Sequence, residues 1–242
     1  IMKKVYLFLL LSLTVLNGLV AQENGTNTSK KKIDLSNRPN DHLVIQFGYS
    51  TWSGVPDTIA MGKFSKSFNI YFMFDFPFKS NPKMSLGAGV GVGSDHIRFS
   101  KVNVGIKELG STLRFTNVRD TNHYKKTKLA TSYAEVPLEL RYSANPETGK
   151  GIKFGLGVRV GALINAHTRN VDWENRNGNL LNEFSVKESS TKYFNKTRFV
   201  GTFRIGYGNV SLFSSYQLNP TLRDGQGPTA RPFTLGLTLS GL

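Results

Sequence analysis

Carboxylates and arginines recur at alternate positions of several otherwise apolar stretches. Glu135, Glu139 and Arg141 share one such phase, and Arg159 and Arg204 lie in two later stretches. Alternate residues of a strand point to the same face of a sheet, so we expect these charges to meet on one side. Opposite charges held there can form buried ion pairs or, beside an open path, carry ions or protons. The predicted network comprises Asp75, Glu135, Glu139, Arg141, Arg159, Arg198 and Arg204.

Other kinds of chemistry have weak support. The sequence has no cysteine, and the spacing of its four histidines, His42, His96, His123 and His167, does not match a metal site. Asp95 and His96 with nearby serines could seed a hydrolase site, but adjacent residues of a strand point to opposite faces. The glycine run at 87–93 lacks the G-x-G-x-x-G spacing of dinucleotide-binding loops. We therefore predict no catalytic, cofactor-binding or metal-ligating residue, no cofactor and no enzyme activity.

Alternating apolar residues define the elements that must position the charges. In 66–77, large apolar residues from Phe68 to Phe76 alternate with mostly polar ones, and in 84–99 four glycines alternate with apolar residues. One face is thus apolar, and the other is polar or bare backbone. Eight segments show strand character: 42–51, 66–77, 84–99, 129–143, 151–166, 196–207, 210–218 and 231–241.

The connections alternate between short and long. Tight turns are expected near 79–82, 145–149 and 208–209, while the other connections are long and polar: 52–65, 100–128, 167–195 and 219–230. This pattern is typical of outer-membrane barrels. The sequence predicts an all-β, eight-stranded, antiparallel up-and-down transmembrane β-barrel with short periplasmic turns and long extracellular loops. An exported soluble sandwich or lipocalin-like barrel is the alternative, disfavoured by mid-strand charges and by a nearly continuous apolar face.

The first residues indicate export. A charged start, an apolar run and small residues before Gln22 predict a signal peptide at 1–21. A disordered periplasmic leader at 22–41 and the barrel at 42–242 would follow, in the outer membrane of a Gram-negative bacterium. The formal net charge is +15. It favours outer-membrane lipid and lipopolysaccharide as partners over nucleic acid.

The stretch 132–142 carries a family resemblance. Its sequence, SYAEVPLELRY, resembles the Y-x-E-I-P-L-x-L-K-Y strand of the PorT-like outer-membrane β-barrel proteins of Bacteroidota. Residues 154–161 are similar to the next strand of that family, and 216–220 to one of its strand ends. The namesake of the family contributes to type IX protein secretion, whereas most members have no assigned activity.

Three functions are compatible with these features. The first is a non-enzymatic structural or accessory subunit of a larger envelope machine for secretion, transport or assembly, with its lumen plugged by side chains. Protein partners would then contact the loops at 100–128 and 167–195 or the polar leader. The second is a narrow pore or a small-molecule or lipid-binding barrel, and the third is an outer-membrane enzyme.

Overall fold

Strands are the regular elements of the computed structural model, which describes residues 42–241. The signal peptide and leader predicted at 1–21 and 22–41 lie outside the described residues. Within 42–241 no helix is long and apolar enough to cross a membrane. The strands are β1 (Leu43–Ser53), β2 (Lys66–Pro77), β3 (Met84–Phe99), β4 (Val102–Gly105), β5 (Arg114–Asn117), β6 (His123–Ser143), β7 (Ile152–Glu174), β8 (Leu180–Ser189), β9 (Thr197–Tyr207), β10 (Val210–Gln217) and β11 (Arg231–Ser240).

Eight of these strands form a closed antiparallel ring. The order β6-β3-β2-β1-β11-β10-β9-β7 is closed by pairing between β6 and β7. Every ring strand therefore lies beside its neighbours along the chain, and β1 meets β11 through Val44 and Ser240. Closure leaves no unpaired edge in the ring, which a strand protein needs in lipid. The predicted all-β, eight-stranded, up-and-down architecture is confirmed.

The two central strands are longer than predicted. β6 begins at His123 rather than at 129, and β7 continues to Glu174 rather than ending at 166. The two stay paired over this extension, with His123 opposite Glu174. The predicted loops at 100–128 and 167–195 are thus partly strand: β4 and β5 form a hairpin in the first, and β8 pairs with the end of β7 in the second.

The ring is apolar outside and polar inside. On β2, the outward residues Phe72 and Phe74 are each 60% exposed, whereas the inward residues Asn69 and Tyr71 are buried. The outward apolar run of β7 from Ile152 to Ala162, at ~3.3 Å per residue and a tilt near ~40°, is about 25 Å high, the height of the apolar band of such barrels. We call this outward apolar surface the belt.

An apolar core lies at the end of the ring that carries the long connections. It joins inward residues at the ends of ring strands, such as Ile97 and Leu129, with loop residues such as Val104 and Tyr193. The Tyr193 hydroxyl donates to the Glu108 carbonyl oxygen at 2.7 Å and ties two loops together. We call this core, with the loops that form it, the cap. The alternation pattern of the sequence does not predict the cap.

Candidate functional site

The lumen contains two groups of charged side chains, and Glu139 is at the centre of the group nearer the short turns. Its carboxylate accepts hydrogen bonds from Arg204 Nε at 3.0 Å and from Arg141 Nε at 3.2 Å. Arg141 Nη1 lies 3.6 Å from Asp75 Oδ1, and the Ser85 hydroxyl donates to the same Asp75 oxygen at 2.6 Å. Each cation of this group thus lies beside a carboxylate.

Glu135 is at the centre of the second group. Its Oε1 accepts a hydrogen bond from Arg198 Nε at 2.5 Å, and its Oε2 accepts one from the Tyr71 hydroxyl at 2.5 Å. Arg159 Nη1 lies 3.6 Å from the same Oε2 and also donates to the Tyr71 hydroxyl. Arg198 Nη1 donates to Asp95 Oδ2 at 2.7 Å. Two carboxylates therefore match two guanidinium groups here.

Together the two groups form a network of four arginines and four carboxylates. All seven residues predicted from the sequence have their side chains in the lumen, because they hold the inward phase of their strands. Glu135 lies beside Arg159 and Arg198, while Arg141 and Arg204 lie beside Glu139 instead. The members are Asp75, Asp95, Glu135, Glu139, Arg141, Arg159, Arg198 and Arg204.

Three residues of the second group, Asp95, Tyr71 and Tyr133, are not part of the network predicted from the sequence. The Arg198 guanidinium lies 4.1 Å from the centroid of the Tyr133 ring, a cation–π contact. Asp95 shares the inward phase of the glycines on β3, so strand phase was the signal that could have found it.

Glycines make room for the long side chains. A Cβ added at Gly93 would lie 2.5 Å from Arg198 Nη2 and 2.6 Å from Glu135 Oε2. One added at Gly87 would lie 2.7 Å from Arg141 Nε. Real Cβ atoms do not approach so closely, so these positions of β3 must remain bare for the guanidinium groups to lie where they do.

Two small cavities lie beside the network. A cavity of about 30 Å³ lies between the two groups, lined by residues that include Gln46, Tyr71 and Arg159. Another, of about 10 Å³, lies beside Asp95 and Arg198. A single water molecule needs roughly 10–15 Å³, so these cavities hold one or two waters at most.

The ring, its apolar outer wall and its polar interior agree with a sequence comparison. The family described as outer membrane protein beta-barrel domain matches residues 22–224. The chain belongs to this family. No curated protein matches the chain significantly. The protein is therefore located in the outer membrane. The match ends before β11, the ring strand that pairs with β1.

The two residues of the hydrolase hypothesis, Asp95 and His96, point to opposite faces of β3 in this outer-membrane barrel, one into the lumen and one outward. The Asp95 carboxylate is in the lumen beside Arg198, whereas His96 is on the outer wall, with its Nε2 3.1 Å from Ser94 Oγ. An Asp–His–Ser relay through Asp95 therefore does not form. Within residues 42–241, no group of three or more His, Cys, Asp or Glu side chains is arranged to hold a metal ion.

Proposed function

We propose that this outer-membrane barrel is a non-enzymatic accessory subunit of a larger envelope machine, of the PorT-like kind found in Bacteroidota. The observation that carries the proposal is the pairing of buried charges in the lumen, together with the apolar cap at the end that carries the long connections. We infer that these side chains leave no path for solutes through the lumen, so that the barrel acts through its surfaces. The resemblance of 132–142 to PorT-like proteins supports the same proposal, because the namesake of that family contributes to protein secretion. This stretch is also the part of β6 that contributes Glu135 and Glu139.

The plug is supported by the way the charges are matched. Glu135, Arg159 and Arg198 are each at most 5% exposed. A buried charge without a partner is costly, whereas paired charges with good hydrogen-bond geometry are tolerated. An ion moving through the lumen would have to break these pairs. Eight-stranded barrels have interiors that side chains can fill.

A surface for a protein partner is offered by the hairpin of β7 and β8. Leu180 and Leu181 are 51% and 53% exposed and lie where the register between β7 and β8 is irregular. Among the described residues β8 pairs with β7 and no other strand. An open strand edge with apolar side chains is a surface on which another chain can add a strand.

Affinity isolation from native outer membranes in mild detergent tests the accessory role. We expect the wild-type protein to retain specific partner proteins and the variant Leu180→Ser/Leu181→Ser to lose at least one of them. Leu109→Ser makes the same kind of change at a fully exposed leucine of the loop at 100–128, the other loop predicted to contact partners, and shows whether partners bind there instead. If both variants retain the same proteins as the wild type, the partner surface is neither at the hairpin nor at Leu109. The accessory role itself fails if the inserted barrel isolates alone. The narrow pore or the small-molecule or lipid-binding barrel would then replace it.

A further inference from the structure

Four cations form a row across four adjacent strands on the outer wall. Arg98 of β3 lies opposite Lys128 of β6, Lys128 lies opposite Arg169 of β7, and Arg169 lies opposite Lys187 of β8. The residues beside them in sequence, such as Ile97 and Leu129, are buried and point inward. The four cations therefore share the outer face. We call them the basic row.

The basic row lacks internal compensation. Like charges directly opposite each other in a sheet are destabilising. No ion pair within residues 42–241 joins a cation of the row to a carboxylate. Arg169 Nε donates to the neutral Ser185 hydroxyl at 3.2 Å. The fold thus keeps four neighbouring positive charges without its own counter-ion.

The row adjoins the apolar belt. On β3, two outward residues, Ser94 and His96, separate Arg98 from the belt residue Val92. Basic residues at this level lie beside lipid headgroups rather than beside acyl chains. The charge that compensates the row is therefore expected to come from the headgroup region of the outer leaflet.

Two depressions meet at the row. One, of about 480 Å³, combines the basic side chains of Arg98, Lys128 and Lys66 with the aromatic rings of Phe64 and Phe68. The other, of about 170 Å³, is also lined by Arg98 and Lys128, together with Lys126 and Arg169. Together they offer cationic positions for more than one phosphate and an aromatic wall for an acyl chain.

Phe64 gives a second, independent indication of binding at this place. Its φ is 65°, in the left-handed region that bulky side chains rarely adopt. Its side chain is 68% exposed and forms part of the larger depression. A strained backbone that presents a bare aromatic ring is more common at binding sites than elsewhere.

We propose that the basic row and the larger depression bind lipopolysaccharide through its phosphate groups. Guanidinium groups match phosphate geometry with paired hydrogen bonds. The acyl chain of the same molecule would lie against Phe64 and Phe68. This proposal does not depend on the accessory role, because a barrel that isolates alone still carries the site.

The test uses the full-length protein in nanodiscs and two probes, bisphosphorylated lipid A and its dephosphorylated form. Native mass spectrometry measures how strongly each probe binds. We expect the wild type to prefer the phosphorylated probe and Arg98→Gln/Lys128→Gln/Arg169→Gln to bind it about tenfold or more weakly. The control Lys107→Gln/Arg119→Gln/Arg176→Gln removes the same residue types from exposed loop positions and should bind like the wild type.

Two results would overturn the proposal. One is equal binding of both probes by the wild type, a comparison that needs no variant and is unaffected if a variant does not insert. The other is a loss of binding in the row variant that is no larger than the loss in the loop control, which would leave at most a general attraction between a basic protein and an anionic lipid.

Discussion

The inner and outer walls of the barrel differ in whether their positive charges are paired with carboxylates of the protein. Inside, each guanidinium group of the network lies beside a carboxylate, and Arg198 contacts both Glu135 and Asp95. Outside, the basic row sets cations against cations, with Arg98 opposite Lys128. The inner cations are therefore neutralised by carboxylates of the same protein, whereas we expect the outer cations to be neutralised by a bound anionic ligand. Cations that are paired with carboxylates of the protein stabilise the barrel, whereas cations that are not paired in this way can bind an anionic ligand.

The largest effect is expected when the inner compensation is broken. Glu135→Ala leaves Arg159 without its carboxylate and Arg198 with Asp95 alone, which should lower the free energy of unfolding by about 3–5 kcal/mol. Denaturant titration in liposomes measures this. Glu183→Ala, at an exposed carboxylate of β8, is the control and should unfold like the wild type. A loss for Glu135→Ala no larger than for the control would mean that the network does not stabilise the barrel.

A cation placed within the belt should be the next most damaging change. Phe72→Arg puts a charge where the outer wall has neither a carboxylate nor headgroups, and we expect a loss of roughly 2–4 kcal/mol near the bilayer centre. The same titration applies. Leu109→Arg adds the same cation at a fully exposed loop position and should change little. If the two variants unfold alike, the outward face of β2 does not contact lipid.

Crowding the network without changing its charge should have a smaller effect. Gly93→Ala pushes a methyl group against Arg198 and Glu135, and overpacking of this kind costs about 1–3 kcal/mol. Gly201→Ala makes the same change in a ring strand where the nearest atom is 4.0 Å away. Only the first variant should unfold at lower denaturant concentration; equal midpoints would show that the arginine can move aside.

Removing the outer charges should have the smallest effect, and with the opposite sign. Arg98→Gln/Lys128→Gln/Arg169→Gln relieves direct cross-strand repulsion, so in lipopolysaccharide-free detergent it should stabilise the barrel by about 0.2–1 kcal/mol. The loop control Lys107→Gln/Arg119→Gln/Arg176→Gln should leave the stability unchanged. Destabilisation of the row variant would show that these cations are compensated within the protein and would remove the contrast between the walls.

The sequence predicted the ring and the residues that face its interior because both follow from strand phase. Alternation is a property of the backbone, so Glu135 and Arg159 could be assigned to one side without knowing their neighbours. Which acid meets which arginine depends on the register between strands and on side-chain reach. Strand phase alone therefore does not show that Arg159 and Arg198 lie beside Glu135, whereas Arg141 and Arg204 lie beside Glu139.

The cap and the basic row were beyond sequence reasoning for a related cause. Val104 and Tyr193 lie in connections that look polar overall, and their burial arises from loops that pack against one another across long separations. The row depends on two successive registers that bring together Arg98, Lys128 and Arg169, which are 30 and 41 positions apart in the sequence, and on a third register that adds Lys187. The local periodicity of the sequence therefore predicts neither the cap nor the basic row.

Electrical recording of the unmutated protein in a planar lipid bilayer tests the central claim most directly. A barrel filled by matched charges and closed by an apolar cap should insert and yet give no stable open-channel current. Insertion is checked independently by heat-modifiable migration of the recovered protein. Large, stable currents from the inserted wild-type barrel would contradict the account and favour a pore.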